Sequence, residues 1–447
     1  MYLGLDFGTS NTSAAIYDGK QVRHIPLDPF NKEDVNILSS MLYITSTGQR
    51  FYGQKAINEY IEQMLGFLIQ FEREEFGEIE MTFGDMTYVA QSHYLVEKNV
   101  PGRLFQYLKK YLNADFQTNV FGTYYKPYQL ITLLLKHIKI VAEEYLAQEL
   151  DGVILGRPVK FSEDEQTDRD FASNLELACH RAGFAQVEFQ YEPVAAAFNY
   201  ALTARQAENI LIFDFGGGTF DVTVVRVEHG ASDVLGLGGV PVGGSDFDRA
   251  IMHEKITPLF GRGMEVDGLP VSNGPYIELL NWQSIMQLNR DRHFLKILDD
   301  WIYYADDPRP FTSLRRLIKE NHGFAIFREI ERAKKALSAA PQATVTYKVP
   351  EVFEEEGEIL IDQPITRQEF QELLINFSEK VFRAIDAALK DANLSYNQID
   401  RVIRVGGSSK IPFFYQKLLQ TFGEEKLLMR DEFKNVSAGL AVAAFEK

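Results

Sequence analysis

An apolar strand that runs into Asp-Phe-Gly, then into threonine and a second strand, occurs twice in this chain. The first copy covers residues 3–10 and the second covers residues 210–219, so Asp6 and Asp214 occupy equivalent places. A strand, a glycine turn and another strand predict a β-hairpin. Because two copies are too few for a solenoid, the repeat indicates two similar lobes that each begin with such a hairpin.

The predicted strands extend this pattern. The second strands of the two hairpins are predicted over 12–17 and 220–227, and a third apolar strand runs into Gly406-Gly407-Ser408. Residues 344–361 alternate in polarity and predict an exposed hairpin whose tip is the acidic run 354–357.

Helical patterns fill the space between the strands. Apolar periodicity predicts helices over 128–150 and 163–182. A capping box that starts at Thr366 predicts a helix to about Ala392. Strands that alternate with helices predict an α/β architecture.

Composition excludes several classes of partner. The chain has 447 residues, and 46 basic against 63 acidic side chains give it a net charge of −17. Such a surface repels phosphate backbones and anionic lipid, so we expect neither nucleic acid nor a membrane as a partner. The single cysteine, Cys179, indicates a buried thiol in a reducing compartment. With no secretory signal in the first residues, we expect a cytoplasmic location.

Both hairpin turns have the composition of a phosphate-binding loop. Glycine lets backbone N–H groups approach a phosphate closely, and the threonine and serine hydroxyls add donors. Asp6 and Asp214 at the strand ends are suited to a hydrated Mg²⁺, which takes few protein oxygens. Either turn alone is more often a plain tight turn. Two copies together with Gly406-Gly407-Ser408 favour one nucleotide held between two lobes.

Competing motifs are absent from the sequence. The only Gly-Lys pair, Gly19-Lys20, lacks the first glycine of a P-loop, because Ala14 stands in its place. Asp-Phe-Gly occurs here without the His-Arg-Asp and lysine motifs of protein kinases. His253-Glu254 lacks the second histidine of a zinc helix, because Thr257 occupies that position.

In these residues the chain resembles the nucleotide-binding domain of the DnaK-type (seventy-kilodalton heat-shock) chaperones, in the sugar kinase–actin–chaperone superfamily. Besides the two turns, the resemblance includes residues 191–197, 243–248, 331–338 and 405–412, in the family's order. It implies an α/β fold of the two-lobed actin-like ATPase type, a duplicated ribonuclease H-like fold with two inserted subdomains. It also implies ATP or ADP and Mg²⁺ as cofactors.

The resemblance implies a role for each matching residue. Asp6 and Asp214 would hold the metal, and Asp214 would also orient or deprotonate the attacking water. Glu192 would order the water and the metal shell. The phosphates would be held by Gly8, Thr9, Ser10, Gly216, Gly217, Gly218 and Thr219, with Gly244 closing from the other lobe. The adenosine would be held by Glu331, Lys334, Lys335 and Ser338, with Gly406, Gly407, Ser408 and Lys410 across the base.

The predicted catalytic set is Lys109, Glu192, Asp214 and Thr219. The family's catalytic lysine begins a lysine-arginine-leucine run, and the best counterpart is Lys109 in Lys109-Lys110-Tyr111-Leu112. An alignment on Gly102-Arg103-Leu104 would leave no lysine there, and a solvated helix face is the structural alternative for the lysine pair. Because a cation near the γ-phosphate is needed, we predict Lys109.

Some departures from the family bear on function. Lys335 and Lys410 stand where the family has arginines that stack on adenine, and an ammonium cannot stack in that way, so we expect weaker nucleotide affinity. We expect the chain to lack a peptide-binding domain, and in this it resembles the short YegD-like proteins. It also carries inserts near residues 50–100 and 255–325.

The second insert is rich in aromatic residues. Their more common use is the core of an enlarged subdomain, and the alternative is a protein-docking surface. The residues concerned are Trp282, Phe294, Trp301, Tyr303 and Tyr304.

The predicted lobes follow the repeat. Lobe I covers 1–205, with an inserted subdomain over about 24–125, and is completed by the C-terminal helix at 427–447. Lobe II covers 206–426, with an inserted subdomain over about 250–340.

We predict a chaperone-like protein that binds Mg·ATP, hydrolyses it slowly and changes its interaction with an unidentified protein partner or co-chaperone through lobe closure. Alternatives are an actin-like filament-forming ATPase, a non-hydrolysing nucleotide sensor and a small-molecule kinase. The chaperone-type motifs at Glu192 and Glu331 argue against the last of these.

Overall fold

The computed structural model describes residues 1–83, 86–158, 164–201, 206–228, 231–349, 357–428 and 432–445. Its helices are α1 (Gly53–Met64), α2 (Pro127–Leu146), α3 (Glu165–Ala182), α4 (Glu192–Ala201), α5 (Gly244–Ile251), α6 (Gly274–Glu278), α7 (Trp282–Leu288), α8 (Arg292–Tyr304), α9 (Arg309–Lys319), α10 (Gly323–Ala339), α11 (Arg367–Asp391), α12 (Pro412–Phe422) and α13 (Glu432–Phe445).

The first thirteen strands are β1 (Tyr2–Phe7), β2 (Asn11–Tyr17), β3 (Val22–His24), β4 (Ile37–Ser39), β5 (Leu42–Thr45), β6 (Arg50–Tyr52), β7 (Phe71–Phe83), β8 (Met86–Glu97), β9 (Gly102–Phe105), β10 (Thr118–Val120), β11 (Thr123–Tyr125), β12 (Gly152–Arg157) and β13 (Gln186–Tyr191). The later strands are β14 (Glu208–Phe215), β15 (Phe220–Glu228), β16 (Ala231–Val240), β17 (Glu265–Val266), β18 (Leu269–Pro270), β19 (Gln342–Val349), β20 (Ile359–Thr366), β21 (Arg401–Val405) and β22 (Leu427–Leu428).

The chain divides into two compact units by packing. Unit 1 comprises Met1–Glu59, Leu104–Phe247 and Gln368–Lys447, and unit 2 comprises Tyr60–Arg103 and Asp248–Arg367. The predicted lobes divide the chain by its sequence duplication instead, and their boundaries stay a prediction.

The repeat seen in the sequence is a repeat of sheet topology within unit 1. One sheet has the order β13-β12-β1-β2-β3, with β4 also paired to β2, and the other has the order β16-β15-β14-β21-β22. In the first sheet, β1 pairs antiparallel with β2 and parallel with β12. In the second, β14 pairs antiparallel with β15 and parallel with β21. The two predicted hairpins are therefore confirmed.

The turns of the two hairpins are closed by equivalent hydrogen bonds. The Gly8 N–H donates to the Asn11 carbonyl oxygen at 3.1 Å, and the Gly216 N–H donates to the Thr219 carbonyl oxygen at 3.0 Å. Asp6 and Asp214 each lie two residues before the glycine of the turn, near the end of the first strand of the hairpin. The duplication thus gives each sheet a carboxylate next to a glycine turn.

Two helices rich in small residues fill the space next to both sheets. Buried side chains of α4 and α13, such as Ala196 and Leu440, pack in one cluster with Ile154 of β12 and Ile212 of β14. A Cβ at Gly439 would lie 2.0 Å from the Ala195 carbonyl oxygen, so the two helices meet backbone to backbone. This close packing needs residues with little or no side chain.

The predicted helices and the hairpin predicted over 344–361 are confirmed, with corrections at their ends. The helix predicted to reach residue 150 ends at Leu146, because Ala147 adopts a left-handed conformation with φ of 50°. Asp164 caps α3 by accepting a hydrogen bond from the Thr167 N–H at 2.8 Å, so α3 begins at Glu165. The predicted acidic hairpin has β19 and β20 as its strands, but tip residues 354–356 lie outside the described residues.

Unit 2 shows which aromatic residues of the insert are core. Trp282, Phe294 and Trp301 are buried, as expected for a subdomain core. Tyr303 and Tyr304 lie at the surface, 79% and 58% exposed.

Among the helices of the described ranges, none is both long and apolar enough to cross a bilayer.

The packing of α13 against β1 generates a stability prediction. A Cβ at Gly4 would lie 2.3 Å from the Ala441 backbone nitrogen and 2.7 Å from the Ser437 carbonyl oxygen. We expect Gly4→Ala to lower the free energy of unfolding by about 1–3 kcal/mol, because backbone must move to admit the methyl group. Urea unfolding followed by circular dichroism measures this change.

Gly274→Ala is the control for the substitution type. The nearest atom to its added Cβ, Ser272 Oγ, lies at 3.6 Å, so the methyl group fits. The change expected for the control is within about 0.5 kcal/mol. Equal unfolding midpoints for the two variants would contradict the packing described for α13.

Candidate active site

The turns of the two hairpins lie against each other. A Cβ at Gly217, in the second turn, would lie 2.5 Å from the Ser10 hydroxyl oxygen of the first turn. The two turns that carry the predicted phosphate residues Gly8, Thr9, Ser10, Gly216, Gly217, Gly218 and Thr219 thus meet within unit 1 and bring glycine backbone and hydroxyl groups together. Such a surface is suited to the binding of anionic oxygens.

The third glycine segment joins the second turn. Gly406 has φ of 82°, and its Cβ would lie 2.3 Å from the Phe215 carbonyl oxygen and 3.0 Å from Asp214 Oδ1. Only glycine satisfies both demands. Beyond Gly406, a 3₁₀ turn covers Gly407–Lys410, and the Ser408 hydroxyl donates to the Gly216 carbonyl oxygen at 2.8 Å.

Gly244, which begins α5, also lies next to the second turn. Its N–H donates to the Gly216 carbonyl oxygen at 3.1 Å, and the Ser245 N–H donates to the Gly217 carbonyl oxygen at 2.8 Å. The backbone N–H of Gly244 is therefore engaged in holding the turn.

Carboxylates surround this surface and repel one another. Removal of water by the surrounding protein raises the pKa of Asp6 to about 7, and the Glu192 charge adds to the rise while Lys109 opposes it. Desolvation, followed by the charges of Glu192, Asp221 and Asp6, raises the pKa of Asp214 well above its ordinary range. The environment therefore disfavours full ionisation of these carboxyl groups.

Lys109 is the cation paired within this cluster. Its Nζ lies 3.3 Å from Glu192 Oε1, and both side chains are mostly buried. Glu192 begins α4 at the end of β13, and glycine at position 156 leaves room for it, since a Cβ there would lie 2.9 Å from Glu192 Cγ. Arg103, from the alternative alignment, lies in unit 2 and forms an ion pair with Glu97 at 3.0 Å.

Lys110 also reaches the surface formed by the glycine turns, a contact that sequence reasoning missed. A Cβ at Gly218 would lie 2.6 Å from Lys110 Nζ, so this ammonium rests on the second turn. The two lysines share a tight 3₁₀ turn, Leu108–Tyr111, that follows Tyr107 in the left-handed conformation. The signal available in the sequence was the lysine pair itself. The resemblance selected only its first member.

Asp221 is a second residue that sequence reasoning did not assign. It pairs with Asp214 in the register of β14 and β15. Desolvation raises the pKa of Asp221 to about 6, against the effect of a hydrogen bond from the Thr219 side chain. The signal available in the sequence was the position of Asp221 inside the second turn motif.

The predicted adenosine residues are divided between the units, and each set is described by itself. Gly406, Gly407, Ser408 and Lys410 belong to unit 1, whereas Glu331, Lys334, Lys335 and Ser338 lie along α10 in unit 2. Lys334 Nζ forms an ion pair with Asp248 Oδ1 at 2.8 Å, and Lys335 Nζ lies 3.3 Å from Glu331 Oε1. Although burial acts in the opposite direction, Lys335, Arg328 and Lys334 lower the pKa of Glu331.

The donor set of unit 1 fits a hydrated magnesium ion. Asp6 and Asp214 offer hard oxygen donors. Burial is the main cause of their raised pKa values, and the Glu192 charge, which adds to both shifts, would favour a cation there. Within the described ranges, no group of three or more His, Cys, Asp or Glu side chains has metal-binding geometry. Two carboxylates suit a cation that retains several waters and shares phosphate oxygens.

A sequence model of the Hsp70 protein family matches residues 2–269 and 320–445. The chain belongs to the Hsp70 family. The matched residues include both hairpin turns, Lys109, Glu192 and the segment that begins at Gly406. The fold is therefore the actin-like ATPase fold of the Hsp70 family, as predicted. Family membership supports an ATP-binding, chaperone-like function, since Hsp70 proteins bind ATP or ADP with Mg²⁺.

The crowding of carboxylates generates a prediction for this Hsp70-family site. Asp214→Asn should stabilise the nucleotide-free protein by about 0.5–2 kcal/mol, because it removes a carboxyl group whose ionisation is opposed by desolvation and by neighbouring negative charges. The same variant should lose the stabilisation that saturating Mg·ADP gives, which is about 2.7 kcal/mol at 100 times the dissociation constant. Thermal unfolding with and without Mg·ADP measures both effects.

Asp233→Asn is the matched control, because Asp233 is an exposed carboxylate on β16. The control should behave like the wild type in both conditions. A destabilised Asp214→Asn protein that keeps its full response to Mg·ADP would contradict the proposed metal site.

Proposed function

We propose that this Hsp70-family protein binds Mg·ATP, hydrolyses it slowly and uses nucleotide-dependent lobe closure to switch the binding of a protein partner. The observation that carries the proposal is the contact between the two glycine turns, with Lys110 on the second turn and the Lys109–Glu192 pair beside the carboxylates. Membership of the Hsp70 family supports nucleotide binding, and the residues of the site support the proposal of hydrolysis.

Asp6 and Asp214 would hold the hydrated Mg²⁺. When bound, the metal would neutralise the charge on the phosphate oxygens. The turn residues would bind the β- and γ-phosphates through backbone N–H groups and the hydroxyls of Thr9, Ser10 and Thr219. In phosphoryl transfer the protein mainly positions groups and neutralises charge, and the N–H and hydroxyl donors of both turns would position the phosphates.

The two lysines would have different tasks. Glu192 holds the Lys109 ammonium at 3.3 Å, which fixes a cation where an attacking water would be oriented. Lys110 rests on Gly218, so its charge would act on the phosphate bound by the second turn. Asp214 would orient the water or accept its proton, with Asp221 opposite it on β15.

Each unit is proposed to contribute nucleoside contacts, and each set is proposed by itself. In unit 2 these are Glu331, Lys334, Lys335 and Ser338 of α10, and in unit 1 the contact is Lys410. Two lysines in place of stacking arginines would make the affinity for nucleotide modest, because an ammonium lacks a planar face. Rapid nucleotide exchange would follow from weak binding.

The partner would be a protein that distinguishes the ATP state from the ADP state, such as a co-chaperone or a client. Family membership supports partners of this kind. The high negative charge and the single buried cysteine support a cytoplasmic location without nucleic acid or membrane binding. Likeness to the YegD-like proteins and the predicted lobe boundaries belong to the same proposal.

Single-turnover hydrolysis tests the assignment of the lysines. We expect Lys109→Met to slow phosphate release from bound ATP by about 100-fold, the loss typical of one catalytic electrostatic group. ATP binding by this variant should change little. Lys110→Met should mainly weaken ATP binding, by about tenfold for the loss of one charged contact.

Lys136→Met is the matched control, because Lys136 is exposed on α2 of the same unit. It should hydrolyse ATP at the wild-type rate. If Lys109→Met also did so, Lys109 would have no catalytic role. A wild-type protein that binds ATP without turnover would replace the ATPase proposal with a nucleotide sensor.

A further inference from the structure

A groove in unit 2 combines a cationic side with an apolar side. It has a volume of about 330 Å³ and lies between residues 68–71 and the segment from Asn289 to Lys319. Leu68, Ile69, Phe71 and Leu295 supply the apolar surface, and the cations are Arg290, Arg292 and Lys319. The described residues that line it include no carboxylate.

The backbone on the apolar side of the groove is held in place by hydrogen bonds to asparagine side chains. The Asn99 side-chain amide donates to the Leu68 carbonyl oxygen at 3.0 Å, and its oxygen accepts from the Gln70 N–H at 2.7 Å. The Asn321 side-chain amide donates to the Phe67 carbonyl oxygen at 2.8 Å. Leu68 is nevertheless 61% exposed, so a fixed backbone presents an apolar side chain to solvent.

The cations of the groove divide into one that is paired and two that are not. Arg290 forms an ion pair with Glu97 and lies over the Phe71 ring, 5.9 Å from its centroid. Across the described part of the chain, the exposed side chains of Arg292 and Lys319 have no hydrogen bond or ion-pair partner. The groove therefore carries excess positive charge in a protein whose net charge is −17.

One side of the groove belongs to a segment that the family model does not match, whereas Leu68, Ile69 and Phe71 lie in the matched range. The Hsp70 model leaves residues 270–319 unmatched, and this segment supplies every cation of the groove as well as Leu295. The nucleotide site described above uses none of these residues. The insert thus adds a surface whose chemistry is independent of ATP binding.

We propose that this groove binds a small amphiphilic anion, a molecule with a carboxylate or phosphate head and an apolar body. The head lies between Arg292 and Lys319, and the body covers Leu68, Ile69 and Phe71. A volume of about 330 Å³ lies within the range of small-molecule sites, roughly 300–1,000 Å³. Charge-assisted contacts to the head select an anion, and the fixed apolar side favours a hydrocarbon body.

The proposal does not depend on the proposed ATPase function. Calorimetric titrations are therefore made on the full chain with Mg·ADP in excess, so that no probe enters the nucleotide site. The probes are decanoate and decyl phosphate, which share the proposed chemistry and differ in the head. Decanol lacks the anionic head, and inorganic phosphate lacks the apolar body. All probes are kept below the concentrations at which micelles form.

We expect one molecule of decanoate or decyl phosphate to bind per chain, and the stronger binder identifies the preferred head. Decanol and inorganic phosphate should each bind at least about tenfold more weakly, since each forgoes one set of contacts. Binding of decanol as strong as that of the two anions would overturn the proposal, as would equally strong binding of inorganic phosphate. Absence of binding of both anions would also overturn it.

Substitutions locate the site. The double variant with Arg292→Glu and Lys319→Glu should weaken binding of the preferred probe by about tenfold or more. Lys296→Glu is the matched control, because Lys296 is exposed on α8 and does not line the groove. If charge reversal disturbs folding, Arg292→Gln with Lys319→Gln replaces it. Unchanged binding in the folded double variant would contradict the assignment of the groove.

Discussion

The contact between α4 and α13 holds the two sheets of unit 1 in a fixed relation. Gly439 meets the Ala195 carbonyl oxygen with no room for a side chain, and Gly4 meets α13 in the same way from β1. Close backbone packing of this kind resists sliding, because any shift produces overlaps that a core cannot absorb. As a consequence, the ends of β1 and β14 stay where the Asp6 charge contributes to the raised pKa of Asp214.

That influence is repulsive, and a bound cation would reduce it. Carboxylates gathered where water is scarce cost free energy, which one ion pair between Lys109 and Glu192 offsets only in part. A magnesium ion would supply the missing positive charge, and the glycine turns would accept the phosphates that come with it. Functional sites commonly contain groups that destabilise the folded state locally, while packing elsewhere maintains the fold.

Much of this site could be predicted from the sequence, because glycine turns and strand ends are local features. The spacing of Asp6 and Gly8, repeated at Asp214 and Gly216, was sufficient to predict two hairpins, and the phosphate-binding role of their turns stays a prediction. The role of Lys110 could not be predicted, because it depends on how one 3₁₀ turn meets Gly218 across unit 1. The early end of α2 was also missed, because it follows from the left-handed conformation of Ala147, a residue type that does not signal it. The groove was missed because it joins residues 68–71 to the insert, which are distant in the sequence.

The central claim is that the two turns and their carboxylates hold a nucleotide together with Mg²⁺. Calorimetric titration of the full chain with ATP, with Mg²⁺ present and then with Mg²⁺ removed by a chelator, tests it most directly. We predict one ATP bound per chain with Mg²⁺ and binding at least about tenfold weaker without it, since the triphosphate would then face unneutralised carboxylates. Equal affinity in the two conditions, or no binding in either, would contradict the account.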